Sequence, residues 1–325
     1  MWAYRLVRPR TFERVEVPAP SAADVPDRHV LLRVLAGGIC GSDFPFFAGR
    51  NVMHADDDGS GIAPNVPGHP LHEVVGVVEY SNHPDHAVGD RLVGWATRLD
   101  ALAQYCISHG DELADCPTDL APETAVMIQP LACALQPMRA AEVAGKSVTV
   151  IGLGPIGLLF AHAAKTLSAA KVTGVDPVDR SDVADIFGLD EVIQAHSGRW
   201  AARLGPDELS EVVVDAVGHN PGTANDALLA TAFGGRVVLF GVPDDDYYPL
   251  PMKTWLRRNL TVWSGTTRNR SRALQDAAEY LAEHPELVEH YVTHSFDVHD
   301  VQPAFDTASI PRTGQLKVTL RVPSG

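Results

Sequence analysis

The sequence predicts an α/β protein of two domains, a small all-β barrel or sandwich followed by a doubly wound parallel sheet. Three observations predict it. A chain of 325 residues exceeds what one hydrophobic core usually serves. Up to about residue 120, short β-like runs are broken by Gly and Pro, whereas from residue 146 strand-like and helix-like stretches alternate. A glycine-rich turn stands at the first strand-to-helix junction of that alternation, where doubly wound sheets place one.

In the first half the runs Val30–Leu35, Glu73–Tyr80, Asp90–Trp95 and Leu102–Ser108 have the apolar, β-branched character of strands. Between Val52 and Val66 the chain is rich in Asp and Gly and lacks apolar periodicity, which predicts an exposed loop. From residue 146, Lys146–Gly152 reads as a buried strand, Pro155–Ala169 as a helix and Lys171–Asp176 as a second strand. The strand pattern recurs at Glu211–Gly218, Gly235–Val242 and Asn259–Gly265, with helical stretches between. A helix over Ser271–Glu283 and a strand over Gln315–Arg321 are more than a six-stranded nucleotide fold needs, so the tail is expected to return to the first domain. The expected division is therefore 1–130 with 265–325, and 131–264.

Composition narrows the partners. A formal charge of −15 with no basic run disfavours nucleic acid and anionic membrane surfaces. The first twenty residues carry Arg5, Arg8, Arg10, Glu13, Arg14 and Glu16, so they hold no apolar targeting run, and a cytoplasmic location is expected. Cys40, Cys106, Cys116 and Cys133 form no CxxC pair, which argues against a disulfide scaffold or a local zinc ribbon. A metal would have to collect ligands from distant segments.

The turn Gly152-Leu153-Gly154-Pro155-Ile156-Gly157 has the G-x-G-x-x-G spacing of a dinucleotide loop. Its first glycine permits the tight turn, its second lets the backbone approach a pyrophosphate, and its third allows close helix packing. The phosphates would sit at the positive end of the following helix, beside Pro155 and Ile156. Asp176, ending the next strand, is placed to accept hydrogen bonds from the adenosine ribose hydroxyls and to repel a 2′-phosphate, which favours NAD over NADP. Arg180 nearby is expected to be a solvated helix-end residue.

A second constellation begins at Gly38-Ile39-Cys40-Gly41-Ser42-Asp43. Cys40 can bind a metal as thiolate, Ser42 can relay the proton of a bound alcohol, and Asp43 can orient another ligand. With Pro67-Gly68-His69-Pro70-Leu71-His72-Glu73, the run Val88–Gly94, the stretch Ala125–Leu135, the glycine loop and a terminal Gly314–Leu320, the chain resembles the zinc-dependent medium-chain dehydrogenases. The likeness is to their polyol, threonine and glucose dehydrogenase branch. It implies a GroES-like β-barrel catalytic domain, a Rossmann domain and a homodimer or homotetramer. It also implies one catalytic zinc, without the four-cysteine lobe that holds a structural zinc in other members.

The resemblance assigns roles residue by residue. His72, which keeps the His-Glu pair before the Val-Val-Gly strand, is the expected zinc ligand, with His69 as alternative; Glu73 matches a glutamate that can approach the metal from the side away from substrate. Gln129 stands where polyol dehydrogenases have a glutamate ligand, and a glutamine oxygen can replace it, with Gln129→Glu expected to raise metal retention. Cys133, one turn later, is expected to be a packed helix residue. Pro45 occupies the place of a relay histidine, so Ser42 would pass its proton by way of the nicotinamide ribose. Val217, Phe240 and Val242 would lie near the nicotinamide and Lys317 near the pyrophosphate, while Ser42, Phe44, Phe47, Trp95 and Gln129 would line the substrate pocket.

The reaction so implied is reversible oxidation of a secondary alcohol, on a sugar, polyol or (amino)cyclitol, with hydride passing to NAD. Two rivals are a metal-free reductase of the same fold, against which Cys40, Asp43 and His72 speak, and a non-catalytic NAD-binding redox sensor, which the missing relay histidine and ligand glutamate leave open.

Overall fold

The computed structural model describes residues 1–50 and 66–323. Its chain clusters into two compact units, Met1–Ala132 with Arg268–Ile310 and Gln315–Gly325, and Cys133–Thr267 with Pro311–Gly314. The stretch expected to form a loop between Val52 and Val66 lies, apart from Val66, outside the described residues.

The first unit opens with an antiparallel pair, β1 (Trp2–Arg8) and β2 (Thr11–Glu16), turned at Arg10 in the left-handed region (φ 57°). Neither strand stands among the sequence expectations, because Arg5, Arg8, Glu13, Arg14 and Glu16 break up their apolar residues. Next come β3 (His29–Gly38), β4 (Glu73–Ser81), β5 (Arg91–Trp95), β6 (Tyr105–His109) and β7 (Leu113–Asp115). On β3, Val30, Leu32 and Val34 are all buried, the period of two that turns one strand face to the core. The strand expected from Leu102 starts only at Tyr105, since the preceding backbone is spent on single bonds: Leu102 N–H donates to Gly68 O, and Leu102 O accepts from Tyr4 N–H.

The second unit holds six parallel strands, β8 (Ser147–Ile151), β9 (Lys171–Asp176), β10 (Glu191–Gln194), β11 (Ser210–Asp215), β12 (Thr231–Leu239) and β13 (Thr261–Ser264), in the order β10-β9-β8-β11-β12-β13. The order reverses at β8, and that switch point is where doubly wound sheets bind ligands. Helix Pro155–Thr166 follows β8 directly.

The tail supplies β14 (Val292–Asp297) and β15 (Lys317–Arg321) to the first unit, completing the path β14-β15-β3-β4-β5-β7, with β6 paired to β3. Thus β3 runs between β15 and β4, with Gly38 opposite both Thr319 and Glu73. Val74, Val78, Leu92, Leu113, Val318 and Leu320 join the β3 side chains in one apolar core. No helix among the described residues is long and apolar enough to cross a membrane.

Candidate active site

The donor cluster is built at the ends of β3 and β4. Beyond Gly38 the chain leaves β3 and turns through the short 3-10 helix Gly41–Asp43, whose closing carboxylate folds back so that Asp43 Oδ2 accepts the Cys40 N–H at 2.8 Å. Asp43 is buried, and its other oxygen lies 3.0 Å from His72 Nδ1. One carboxylate therefore fixes both the backbone at Cys40 and the ring of His72, leaving the ring's other nitrogen for a metal. Glu73, the next residue, opens β4 and is fully buried. Ligand atoms of Cys40, His72 and Glu73 all lie within 4.8 Å of one another.

The electrostatics favour positive charge at this point. Burial works to lower the His72 pKa, but the Asp43 carboxylate, by charge and hydrogen bond, and the Cys40 thiol outweigh it and hold the value well above that of a free imidazole. A thiol, an imidazole with an oriented ring and a carboxylate are donors suited to zinc. Glu73 Oε2 is a buried oxygen without a hydrogen-bond partner, while Oε1 accepts from Lys317 Nζ at 2.5 Å. The donor set thus fits a divalent metal, and its carboxylate keeps one oxygen free of any hydrogen bond.

His69 stands apart from the donor cluster. Its ring is buried against the edge of Phe46, with centroids 4.6 Å apart, and neither ring nitrogen has a hydrogen-bond partner. Burial lowers its pKa to about 4 against a weaker opposing pull from Asp43, so it is neutral near pH 7. Ser42 is half-buried, Pro45 is buried in the turn that follows, and Gln129 is buried at the second position of helix Ile128–Ala141.

Two aromatic positions differ from expectation or gain a partner. Phe47, expected in a substrate pocket, is a core residue: it is 1% exposed and packs on Phe12 and Phe305 at centroid distances of 5.6 and 5.2 Å. Trp95 lies opposite Glu73 in the β4–β5 register and carries the Arg270 guanidinium 4.9 Å above its ring. Phe44 is half-buried against the same core.

The glycine loop of the second unit has the geometry its spacing implies. Gly152 has φ 87°, and a Cβ there would meet Val217 Cγ2 at 2.6 Å; a Cβ on Gly157 would lie 1.8 Å from Gly152 O. At Gly154 a side chain would project into open space, so this backbone faces an unobstructed region at the start of helix Pro155–Thr166. Helix amides with such access form a phosphate cradle. Asp176 Oδ2 accepts from Leu153 N–H and Oδ1 from Val178 N–H, both at 2.7 Å, which fixes the carboxylate and leaves lone pairs for hydroxyl donors. Phe240 meets Phe160 edge-on at 4.9 Å, and Val242 is exposed.

Arg180 corrects the expectation of a solvated residue. It is 2% exposed, its guanidinium donates to Arg312 O at 2.9 Å, and Asp176 and Asp182 lie within electrostatic reach. A buried guanidinium needs such acceptors, and a loop distant in sequence supplies one. Lys317, expected near a pyrophosphate, is buried on Glu73. Cys133 Sγ accepts from Thr267 Oγ1 at 3.3 Å; Cys106 and Cys116 are buried thiols, with burial raising Cys116 to about 11 and Cys106 further.

Comparison with known proteins agrees with this architecture. Residues 26–121 match the alcohol dehydrogenase GroES-like domain, and residues 155–283 match the zinc-binding dehydrogenase family. The chain is 29% identical over 316 residues to a D-altritol 5-dehydrogenase of Agrobacterium fabrum, covering 87% of this chain and 89% of that protein. It is 27% identical over 341 residues to a sorbitol dehydrogenase of Bombyx mori, covering 91% and 92%. The structure of the alcohol dehydrogenase TADH from Thermus sp. ATN1 superposes with a TM-score of 0.80 at 25% identity, over 99% of this chain and 100% of that one. The protein is an oxidoreductase of the alcohol dehydrogenase type. Within that class, it belongs to the zinc-type medium-chain alcohol dehydrogenase superfamily.

Proposed function

We propose that the protein catalyses reversible oxidation of a secondary alcohol to a ketone, with NAD as hydride acceptor and one zinc held by Cys40, His72 and Gln129, which Glu73 can approach. The observation that carries the reading is the convergence of Cys40, His72 and Glu73 donor atoms within 4.8 Å of one another. When bound, zinc supplies a Lewis acid that lowers the pKa of a substrate hydroxyl, and NAD takes the hydride. The chain's own groups do the remaining work. Asp43 holds His72 in one ring orientation and pins the backbone that presents Cys40. Ser42 relays the substrate hydroxyl proton, giving its own hydroxyl proton on toward water as it accepts, and the Gly152–Gly157 loop with Asp176 binds the coenzyme.

A sugar, polyol or (amino)cyclitol is the proposed substrate class. The polyol dehydrogenases among the relatives support it, as does the mix of Ser42, Gln129 and half-buried Phe44 on the metal-bearing unit. Exclusion of NADP rests on the Asp176 carboxylate, whose two backbone bonds hold it rigidly in place.

Elemental analysis of zinc-replete protein, coenzyme titration and turnover on a polyol and cyclitol panel test the reading together. About one zinc per chain, tighter binding of NAD than NADP and zinc-dependent turnover are expected. Full coenzyme binding with no zinc uptake would refute the metal assignment and favour a metal-free reductase.

A further inference from the structure

One face of the parallel sheet changes character along its strands. At one level Ile151 of β8, Val175 of β9 and Ile193 of β10 are lateral neighbours, packed in a core with Trp200 of the short helix Ser197–Ala201. Two residues earlier on each strand, and so on the same face, the neighbours are Thr149, Thr173 and Glu191. Packed cover over a parallel strand calls for apolar side chains, not hydroxyls. The helix has five residues and is about 7.5 Å long, enough to cover one such level. Beside it lies a cavity of about 850 Å³, with Thr149, Thr173, Trp200 and Ser210 among its walls.

The walls carry donors that the chain leaves unused. Thr173 is 8% exposed and Trp200 9%, yet among the described residues neither the Thr173 hydroxyl nor the Trp200 indole N–H has a hydrogen-bond partner. Thr149 and Ser210, by contrast, spend their hydroxyls on each other at 2.7 Å. Arg199 and Arg203 line the same cavity without an ion pair among the described residues, in a chain where 41 acidic residues face 26 basic ones. Of the acids around the cavity, Glu191 is held by Lys171 at 2.6 Å and Glu208 accepts the Gly205 N–H at 2.7 Å, which leaves Asp207. The open chemistry is therefore two guanidiniums, an indole N–H and a hydroxyl against one carboxylate. Guanidiniums match phosphate oxygens, and the remaining groups match hydroxyls. We propose that this cavity, built wholly within the second unit, is a further small-molecule site for a small organic phosphate carrying free hydroxyls. Arg199 and Arg203 take the phosphate, while Thr173, Trp200 Nε1 and Asp207 take the hydroxylated part. The volume lies within the range of small-molecule sites.

Pro177, which follows the proposed coenzyme carboxylate Asp176, also borders the cavity, so binding is measured with and without saturating NAD. Isothermal titration calorimetry of the full chain takes glucose 6-phosphate, glycerol 3-phosphate and inorganic phosphate as probes. One of the organic phosphates is expected to bind at least about tenfold more tightly than inorganic phosphate, and equally well beside NAD. Arg199→Gln and Arg203→Gln, at exposed positions, should each weaken it about tenfold, the factor carried by one charge-assisted contact. Thr173→Val keeps the shape and removes the hydroxyl, so it should weaken the organic phosphate and leave inorganic phosphate unchanged. No binding of either organic phosphate at millimolar concentration overturns the inference, as does binding indifferent to both arginine variants. Inorganic phosphate bound as tightly as the organic ones, or an organic phosphate indifferent to Thr173→Val, overturns the ligand class. Binding that NAD abolishes places the probe in the coenzyme site and overturns the separate one.

Discussion

Replacing His69 by Leu separates the two histidines of the Gly68–Glu73 stretch. His69 is buried, its ring nitrogens have no partners, and its pKa falls from 6.5 to about 4 because burial disfavours the cation. For a group protonated more readily in the unfolded chain, stability is complete above pH 6.5 and is lost as pH falls toward about 4. At pH 5 the loss works out at about 2 kcal/mol, approaching roughly 3 kcal/mol below pH 4. Leu carries no such term, and at pH 7 it removes an unsatisfied ring N–H, so the variant should be at least as stable as wild type there. Urea unfolding followed by circular dichroism, for both proteins at pH 7 and pH 5, gives the difference directly. The gap should widen by about 2 kcal/mol in favour of the variant on acidification. A gap independent of pH would refute the buried, neutral assignment. Zinc content provides the second arm: His69→Leu should retain the metal and His72→Leu should lose it, and the reverse would make His69 the ligand.

Gly38→Ala should destabilise the first unit by about 1–3 kcal/mol and lower zinc content, because its Cβ would overlap Glu73 Oε2; Gly41→Ala, whose Cβ meets nothing within 4 Å, is the control, and equal melting temperatures for the two would remove the steric argument. Asp100 has one buried oxygen without a partner, and burial, opposed by Arg98, raises its pKa from 3.8 to about 6. Its folded form therefore loses stability as pH rises through that window, and Asp100→Asn should gain up to about 3 kcal/mol at pH 7 but nothing at pH 3, as read by urea unfolding. Asp176→Asn keeps an acceptor but removes the charge, so the preference for NAD over NADP in fluorescence titrations should narrow by about tenfold; an unchanged ratio would mean that this carboxylate does not select the coenzyme.

The sequence by itself determined the class of fold and the chemical types at the site. The central parallel strands β8, β9 and β11 are legible as apolar runs because both of their faces are covered, and the glycine loop is legible because Gly152 and Gly157 answer local steric demands while Gly154 leaves the backbone open. Cys40, Asp43, His72 and Glu73 stood out through short-range spacing, which the 3-10 turn and the start of β4 convert directly into proximity. The hairpin β1–β2 and the four-residue β10 were hidden, since neither carries a continuous apolar run.

Tertiary structure alone decided between partners distant in sequence. It set His72 on Asp43 and left His69 against Phe46, a choice that two histidines in one Gly-Pro-rich stretch do not reveal. It buried Arg180 on a carbonyl 132 residues away, drew Phe47 into the core and carried Lys317 over Gly38 onto Glu73. Periodicity reports whether a side chain is covered, but strand order and register decide by what, and the ligand field of a metal site depends on that second quantity.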